Sequence, residues 1–138
     1  METTTAVLSP LQRVERLGSL RKLLAQFSPS IEVLSDDVLA RRLRDDRLVL
    51  IVVKHDDVLV AVATLSLLTT ASLGLVGHVD DVVVDESARG VGVGRLLMEA
   101  VYAEARRLGL RHVDLTSRPA REAANALYRF FWSEYCDW

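Results

Sequence analysis

The segment 82–95 runs from an apolar, valine-rich strand through a glycine-rich loop directly into an amphipathic helix. Glycines stand at positions 90, 92 and 94, and Arg89 and Arg95 bracket the loop. Glycine lets backbone N–H groups approach a ligand closely, and the start of a helix adds unpaired donors and a positive dipole end. The segment therefore predicts a phosphate-binding turn between a strand and a helix. The alternative is a turn of the same shape that binds no ligand.

The hydrophobic pattern on either side of this loop predicts a sheet with helices on both faces. Ser9-Pro10 predicts the start of a helix that continues to Phe27, and Ser35 predicts the start of a short second helix. Strands are predicted over Leu48–Val53, Val58–Leu68, Val79–Val84 and His112–Thr116, and further helices over Gly92–Leu108 and from Pro119 through Tyr128. The predicted fold class is α/β in the broad sense, an α+β arrangement with a central, mixed and mostly antiparallel sheet. We expect a single domain over residues 1–138.

The stretch Val58–Gly77 contains twenty residues without a charge, which is the length of a membrane-spanning helix. Its hydroxyl residues cluster at Thr69-Thr70-Ala71-Ser72, between two short runs that are rich in Val and Leu. Two buried strands joined by a turn fit this pattern better than a membrane helix. We therefore expect no association with a membrane.

The composition argues against several other classes of protein. A formal net charge of −2 argues against a general nucleic-acid binder. The single cysteine, Cys136, excludes a disulfide framework and predicts a reducing, cytoplasmic environment, and no secretory signal is visible at Met1–Thr5. His55, His78 and His112 fall in three separate predicted elements without the spacing of metal ligands, so we predict no metal site.

The order of the glycines distinguishes between the common kinds of phosphate loop. A dinucleotide fingerprint needs glycine where Arg95 or Leu97 stands, and a nucleotide P-loop needs Gly-Lys before Ser or Thr, which does not occur. Arg89-Gly-Val-Gly-Val-Gly94 follows the pattern Arg-x-x-Gly-x-Gly and resembles the acyl-CoA pyrophosphate loop of the GNAT superfamily of N-acetyltransferases. The segment Leu115–Tyr128 is similar to the second cofactor segment of that family, in which an Asn contacts the pantetheine arm and a Tyr lies near the thioester sulfur.

The resemblance implies an acyl-CoA N-acyltransferase-like fold and an N-acetyltransferase that uses acetyl-CoA as its cosubstrate. The acceptor is then a primary amine of a small molecule or a peptide, which attacks the thioester directly in a ternary complex. Tyr128 is the acid that protonates the leaving thiolate, with a packing aromatic as the alternative role, and backbone N–H groups near Val83 and Val84 polarise the carbonyl. The residues assigned to the cofactor are Val82, Val83, Val84, Arg89, Gly90, Val91, Gly92, Val93, Gly94, Arg95, Asn125 and Tyr128.

The ammonium group of an acceptor must lose a proton, which requires a carboxylate near the centre of the sheet. Asp80 and Asp81 are the candidates for this catalytic base. Because neighbouring residues of a strand point to opposite faces, we expect only one of them to face the reaction. The alternative is an exposed strand end at which they cap a helix or form ion pairs. An acidic middle followed by a basic stretch is consistent with separate sites for a cationic acceptor and an anionic cofactor, and also with an ordinary solvated surface.

The sequence departs from the family pattern after Tyr128. Trp132-Ser133 occupy the positions at which the family usually has Gly-Phe, and six of the eight aromatic residues fall within 128–138. This predicts an incomplete final hairpin, an open sheet edge at His112–Thr116, and a homodimer in which each tail covers the edge of the other subunit. The alternative is a monomer whose aromatic residues fold back onto their own sheet. The second functional interpretation is a catalytically silent acyl-CoA-binding or interaction module that has lost its acceptor site.

Overall fold

The computed structural model describes residues 2–115 of the chain. The strands are β1 (Thr3–Leu8), β2 (Leu48–His55), β3 (Val58–Thr70), β4 (Gly74–Val84) and β5 (Val113–Leu115), and the helices are α1 (Pro10–Glu15), α2 (Leu17–Phe27), α3 (Asp36–Leu43) and α4 (Val93–Arg107). Two short 3-10 turns lie at Pro29–Val33 and Glu86–Ala88. The predicted helix from Pro119, the predictions for Asn125 and Tyr128, and those for the aromatic tail lie outside the described residues.

The strands form one five-stranded sheet in the order β1-β2-β3-β4-β5. Each neighbouring pair is antiparallel except β4 and β5, which are parallel and are connected through α4. A parallel pair needs such a crossover, because its connection must return the chain to the same end of the sheet. The sheet is therefore mixed and mostly antiparallel, and the predicted fold class is confirmed.

Two apolar cores lie on opposite faces of the sheet. Leucines of α2 and α3, among them Leu20 and Leu39, pack with Leu50, Val52 and Val62 on one face. The other face packs against α4, whose buried residues include Leu97, Met98, Val101 and Tyr102. Because both faces of β2 and β3 are covered, these strands are apolar at nearly every position instead of alternating.

The structure differs from the predicted elements near the start of the chain. The predicted helix from Ser9 to Phe27 is divided at Arg16, where φ is −103° and α1 gives way to α2. The Arg16 guanidinium donates hydrogen bonds to the carbonyl and carboxylate of Asp57, in the turn between β2 and β3. The strand β1 was not predicted, since its Thr-rich sequence has no apolar alternation and only its pairing with β2 defines it.

The uncharged stretch forms two strands, as predicted. β3 ends at Thr70, a turn occupies Ala71–Leu73, and β4 begins at Gly74. Within residues 2–115, no helix is both long enough and apolar enough to cross a membrane. The hydroxyl cluster thus marked a turn between strands.

Candidate functional site

A β-bulge in β4 places Asp80 and Asp81 on the same face of the sheet. Ala63 pairs with Val82 and Leu65 pairs with Val79, so both aspartates lie opposite the single residue between Ala63 and Leu65 on β3. Val79 and Val82 consequently both enter the core beneath α4. The prediction that the two carboxylates point to opposite faces is therefore wrong, because the strict alternation on which it rests is interrupted between them.

A hydroxyl group of β3 holds each of these carboxylates in place. The Thr64 hydroxyl donates to Asp81 Oδ2 over 2.8 Å and accepts from the Asp81 backbone N–H over 3.0 Å. The Ser66 hydroxyl donates to Asp80 Oδ2 over 2.6 Å. Thr64 is only 2% exposed, so its hydroxyl is fixed by packing as well as by these hydrogen bonds. The two acidic side chains are thus positioned side by side.

His78 lies between two carboxylates at the junction of β4 and β5. Its Nε2 is 3.1 Å from Asp80 Oδ1, and its Nδ1 contacts Asp114 Oδ1. Asp114 is the register partner of His78 in the parallel pair, and its other oxygen lies 3.8 Å from His112 Nε2. The sequence placed these histidines in separate elements, and only the pairing of β4 with β5 brings them together. Within residues 2–115, no group of three or more His, Cys, Asp and Glu side chains is arranged to hold a metal ion.

A cavity of about 570 Å³ opens in front of Asp80 and Asp81, on the face of the sheet that carries α2 and α3. Its size lies within the range of small-molecule sites. Leu24, Leu39 and Leu43 give it apolar walls. Its lining thus combines two carboxylates with an aliphatic surface.

The far end of the cavity is formed by the end of α3 and the loop into β2, with Arg42, Asp45 and Arg47. Hydrogen bonds from Arg47 lower the pKa of Asp45 to about 2, so this carboxylate stays ionised. The buried Arg13 guanidinium donates to the Leu43 carbonyl over 2.8 Å and to the Leu8 carbonyl over 2.9 Å, which ties the end of α3 to β1. The sequence analysis did not identify Arg42 and Arg47 as lining residues, and the position of Arg42 in the last turn of α3 is also explained by the helix dipole.

The predicted phosphate-binding turn lies between β4 and α4. Gly90 and Gly92 have φ values of +81° and +86°, which side chains other than glycine rarely adopt. Gly92 is the N-cap of α4, and the Leu96 N–H donates to its carbonyl over 3.2 Å to close the first helical turn. The N–H groups of Val93 and Gly94 precede this bond, at the start of the helix, where backbone donors have no acceptor within the helix. The turn therefore presents backbone donors at the positive end of the helix dipole.

Side chains on both sides of this turn hold it against the rest of the fold. Arg89 Nε donates to the Val84 carbonyl over 3.0 Å, and Arg95 pairs with Glu99 over 3.3 Å. The Asp85 carboxylate accepts from Gln26 of α2 over 2.8 Å and from the hydroxyl and N–H of Ser87. These hydrogen bonds, that of the Ser87 hydroxyl above all, lower the pKa of Asp85. No local pattern predicts the link from Asp85 to α2, because it joins segments that are distant in the chain.

The end of β4 connects the carboxylates with this turn. Val84 is three residues beyond Asp81, or about 10 Å along the strand. Val82 and Val83 lie between them and are buried in the two opposite cores. The described part of β5 pairs with Gly77–Val79, before the bulge. An acidic cavity and a turn rich in N–H donors are thus linked by one short stretch of strand.

The chain was compared with known proteins in sequence and in fold. Residues 18–131 match the Acetyltransferase (GNAT) family. A search of curated proteins gives no match. The fold is similar to that of an aminoglycoside acetyltransferase from an uncultured soil metagenomic sample in complex with trehalose, with a TM-score of 0.80, 17% identity, and coverage of 93% of this chain and 86% of that chain.

Two further solved structures share the fold. The ribosomal-protein-alanine N-acetyltransferase from Brucella melitensis biovar Abortus 2308 has a TM-score of 0.77 and 20% identity, with 94% of this chain and 89% of that chain covered. Aminoglycoside N-acetyltransferase AAC(6')-Iy in complex with CoA has a TM-score of 0.75 and 19% identity, with coverage of 94% and 86%. The family match spans most of the sequence and agrees with the fold. The chain belongs to the GNAT acetyltransferase family.

Proposed function

We propose that the protein transfers an acetyl group from acetyl-CoA to a primary amine of a small molecule or peptide, by direct attack in a ternary complex. The observation that carries this proposal is the pair of hydrogen-bonded carboxylates, Asp80 and Asp81, which face one cavity a few residues before the glycine-rich turn. Proteins with the same fold support it, since their names describe acetyl transfer to aminoglycosides and to a ribosomal protein.

The glycine-rich turn fits the pyrophosphate of CoA. Its N–H donors lie at a helix N-terminus, where negative charge is favourable. Among the described residues, apart from the adjoining ones in the chain, a Cβ atom added at Gly90 or Gly92 would meet no atom within 4 Å, which leaves room there for a ligand. Arg89 and Arg95 add positive charge on either side. The solved structure of AAC(6')-Iy in complex with CoA supports the same kind of cosubstrate here.

Different residues of this chain would carry out the separate steps of the reaction. Bound acetyl-CoA supplies the thioester whose acetyl group is transferred and whose thiolate leaves. Asp80 or Asp81 accepts the proton that the acceptor's ammonium group must lose before its nitrogen can attack. Backbone N–H groups near Val83 and Val84 stabilise the negative charge that develops on the carbonyl oxygen, and the Tyr128 hydroxyl supplies a proton to the leaving sulfur.

Acetyl transfer and CoA binding should be measured on the same preparation. We expect the protein to acetylate members of a panel of primary amines, with product detected by mass spectrometry, and to bind CoA in a calorimetric titration. Binding of CoA without transfer to any amine would favour the silent acyl-CoA-binding module instead. The second function is tested because the sequence departs from the family pattern at Trp132-Ser133.

Replacing Gly92 with Val is expected to raise the dissociation constant for CoA tenfold or more. This corresponds to a loss of about 1.4 kcal/mol or more of binding free energy. Val is strained at a φ of +86°, so the turn must change shape and its N–H groups leave their positions. Gly109→Val is the matched control, because Gly109 has a φ of +71° at the opposite end of α4. The control should lose comparable thermal stability and keep its affinity for CoA. Unchanged affinity in a folded Gly92→Val protein would overturn the assignment of the turn.

We also expect a homodimer that buries the aromatic segment Phe130–Trp138. Within the described residues, β5 is the last strand of the sheet and therefore forms one of its edges. The large aromatic residues of the segment 130–138 would form an apolar patch if they were left in water. Light scattering at micromolar concentration should give about twice the 15.3 kDa mass of the chain. A mass of one chain, with the tail protected from proteolysis, would show that the segment folds onto its own subunit.

A further inference from the structure

The cavity carries opposite charges at its two ends. Asp80 and Asp81 of β4 form the acidic end, and the arginines at the end of α3 and in the loop before β2 form the other. The sheet fixes their order, since Leu48 at the start of β2 pairs with Ser66 of β3, and β3 in turn pairs with β4. Neighbouring strands are about 4.8 Å apart, so β2 and β4 are separated by about 10 Å across the cavity floor.

Arg47 and Arg42 differ in whether a carboxylate of the protein already pairs with their charge. Arg47 donates to Asp45 from Nε over 3.1 Å and from its terminal nitrogen over 2.9 Å. Arg42 lines the same end of the cavity, and its guanidinium has no hydrogen-bond or ion-pair partner within residues 2–115. A guanidinium without a carboxylate partner offers two parallel N–H donors to an anion. Arg42 is therefore the cation that a ligand in the cavity can use.

The rest of the lining is uncharged and consists of leucine, isoleucine, serine and threonine side chains. Leu24, Leu39 and Leu43 line the cavity and are each at most 5% exposed, so they form part of the fixed core. A hydrocarbon or peptide chain that crosses this surface loses little hydration, whereas a charged group would be left without a partner there. The lining therefore favours a molecule with charges at its two ends and an uncharged middle.

We infer that the acceptor is a primary amine that also carries an anionic group, such as a carboxylate, at the far end of its chain. The ammonium end lies at Asp80 and Asp81, and the anionic end lies at Arg42. The strand separation of about 10 Å across the cavity floor sets the length of a first probe at roughly eight bonds of extended chain, the length of a tripeptide backbone or of 8-aminooctanoate. This inference rests on the proposed function and names the substrate class of the same cavity. An acceptor with a second ammonium group at its far end would be repelled by Arg42.

Binding of three acceptors of equal length tests the inference without relying on transfer. The three compounds are 8-aminooctanoate, octylamine and 1,8-diaminooctane. They share a terminal amine on a chain of eight carbons and differ only in the group at the other end. With CoA present, calorimetry should show aminooctanoate binding about tenfold more tightly than octylamine, and diaminooctane binding more weakly than either. In Arg42→Glu the order of aminooctanoate and diaminooctane should reverse, and in Arg42→Gln the preference for aminooctanoate over octylamine should disappear.

Arg41→Glu provides the matched control, because Arg41 is the neighbour of Arg42 on α3, is likewise exposed and does not line the cavity. It makes the same change of net charge and should leave the preference intact. Equal binding of aminooctanoate and octylamine by the unaltered protein, or an equal loss of preference in Arg41→Glu and Arg42→Glu, would overturn the inference. If the preference holds but none of the three amines is acetylated, the inference stands and the proposed transfer reaction fails.

Discussion

Replacing Asp80 and Asp81 together with Asn should lower kcat/KM for an accepted amine by roughly a thousandfold, within the range for loss of a catalytic base. Asn keeps the shape of each side chain and can still accept the hydrogen bonds from Thr64 and Ser66, but it cannot take up a proton at neutral pH. The amine then enters the cavity and keeps its ammonium proton. Initial rates at saturating acetyl-CoA measure the effect.

The paired aspartates of the turn between β2 and β3 offer a matched control for this experiment. Asp56 and Asp57 have φ values of +49° and +67°, which Asn also tolerates, and they do not line the cavity. Changing both to Asn removes the same two charges and should leave kcat/KM within a few-fold of the unaltered protein. The single variants Asp80→Asn and Asp81→Asn then identify the base, since the larger loss belongs to it. A double variant at Asp80 and Asp81 that is folded and fully active would contradict the assignment.

Tyr128→Phe should lower kcat roughly 100-fold and leave the affinity for CoA nearly unchanged. Phe keeps the aromatic ring and removes only the hydroxyl that would protonate the leaving thiolate. Single-turnover kinetics together with a calorimetric titration of CoA separate the two quantities. Tyr102→Phe is the control, because Tyr102 is a residue of α4 that is buried in the core against the sheet and is not assigned to the site. Equal losses of turnover and CoA binding in Tyr128→Phe would mark Tyr128 as a packing residue.

Local sequence accounts for the glycine-rich turn and the helix that follows it. Glycines at 92 and 109 take up positive φ values at the two ends of α4, which runs from Val93 to Arg107 where a helix over Gly92–Leu108 was predicted. Strand–turn–helix segments can be predicted from local sequence, because capping and backbone conformation depend on a few neighbouring residues. Which residues of this helix are buried depends on packing instead. Leu96 is 38% exposed, whereas Met98 and Tyr102 are fully buried, because the neighbouring sheet decides which side of an apolar stripe is covered.

The sequence by itself thus determined the family, the class of fold and the glycine-rich turn between β4 and α4. The tertiary structure alone decided the geometry of the cavity at Asp80 and Asp81. The bulge that turns Asp80 and Asp81 to one face arises from the register between β3 and β4, and the contact of His78 with Asp114 arises from the pairing of β4 with β5. The position of Arg42 likewise depends on where α3 packs. These features join residues far apart in the chain, so no periodicity within one segment predicts them.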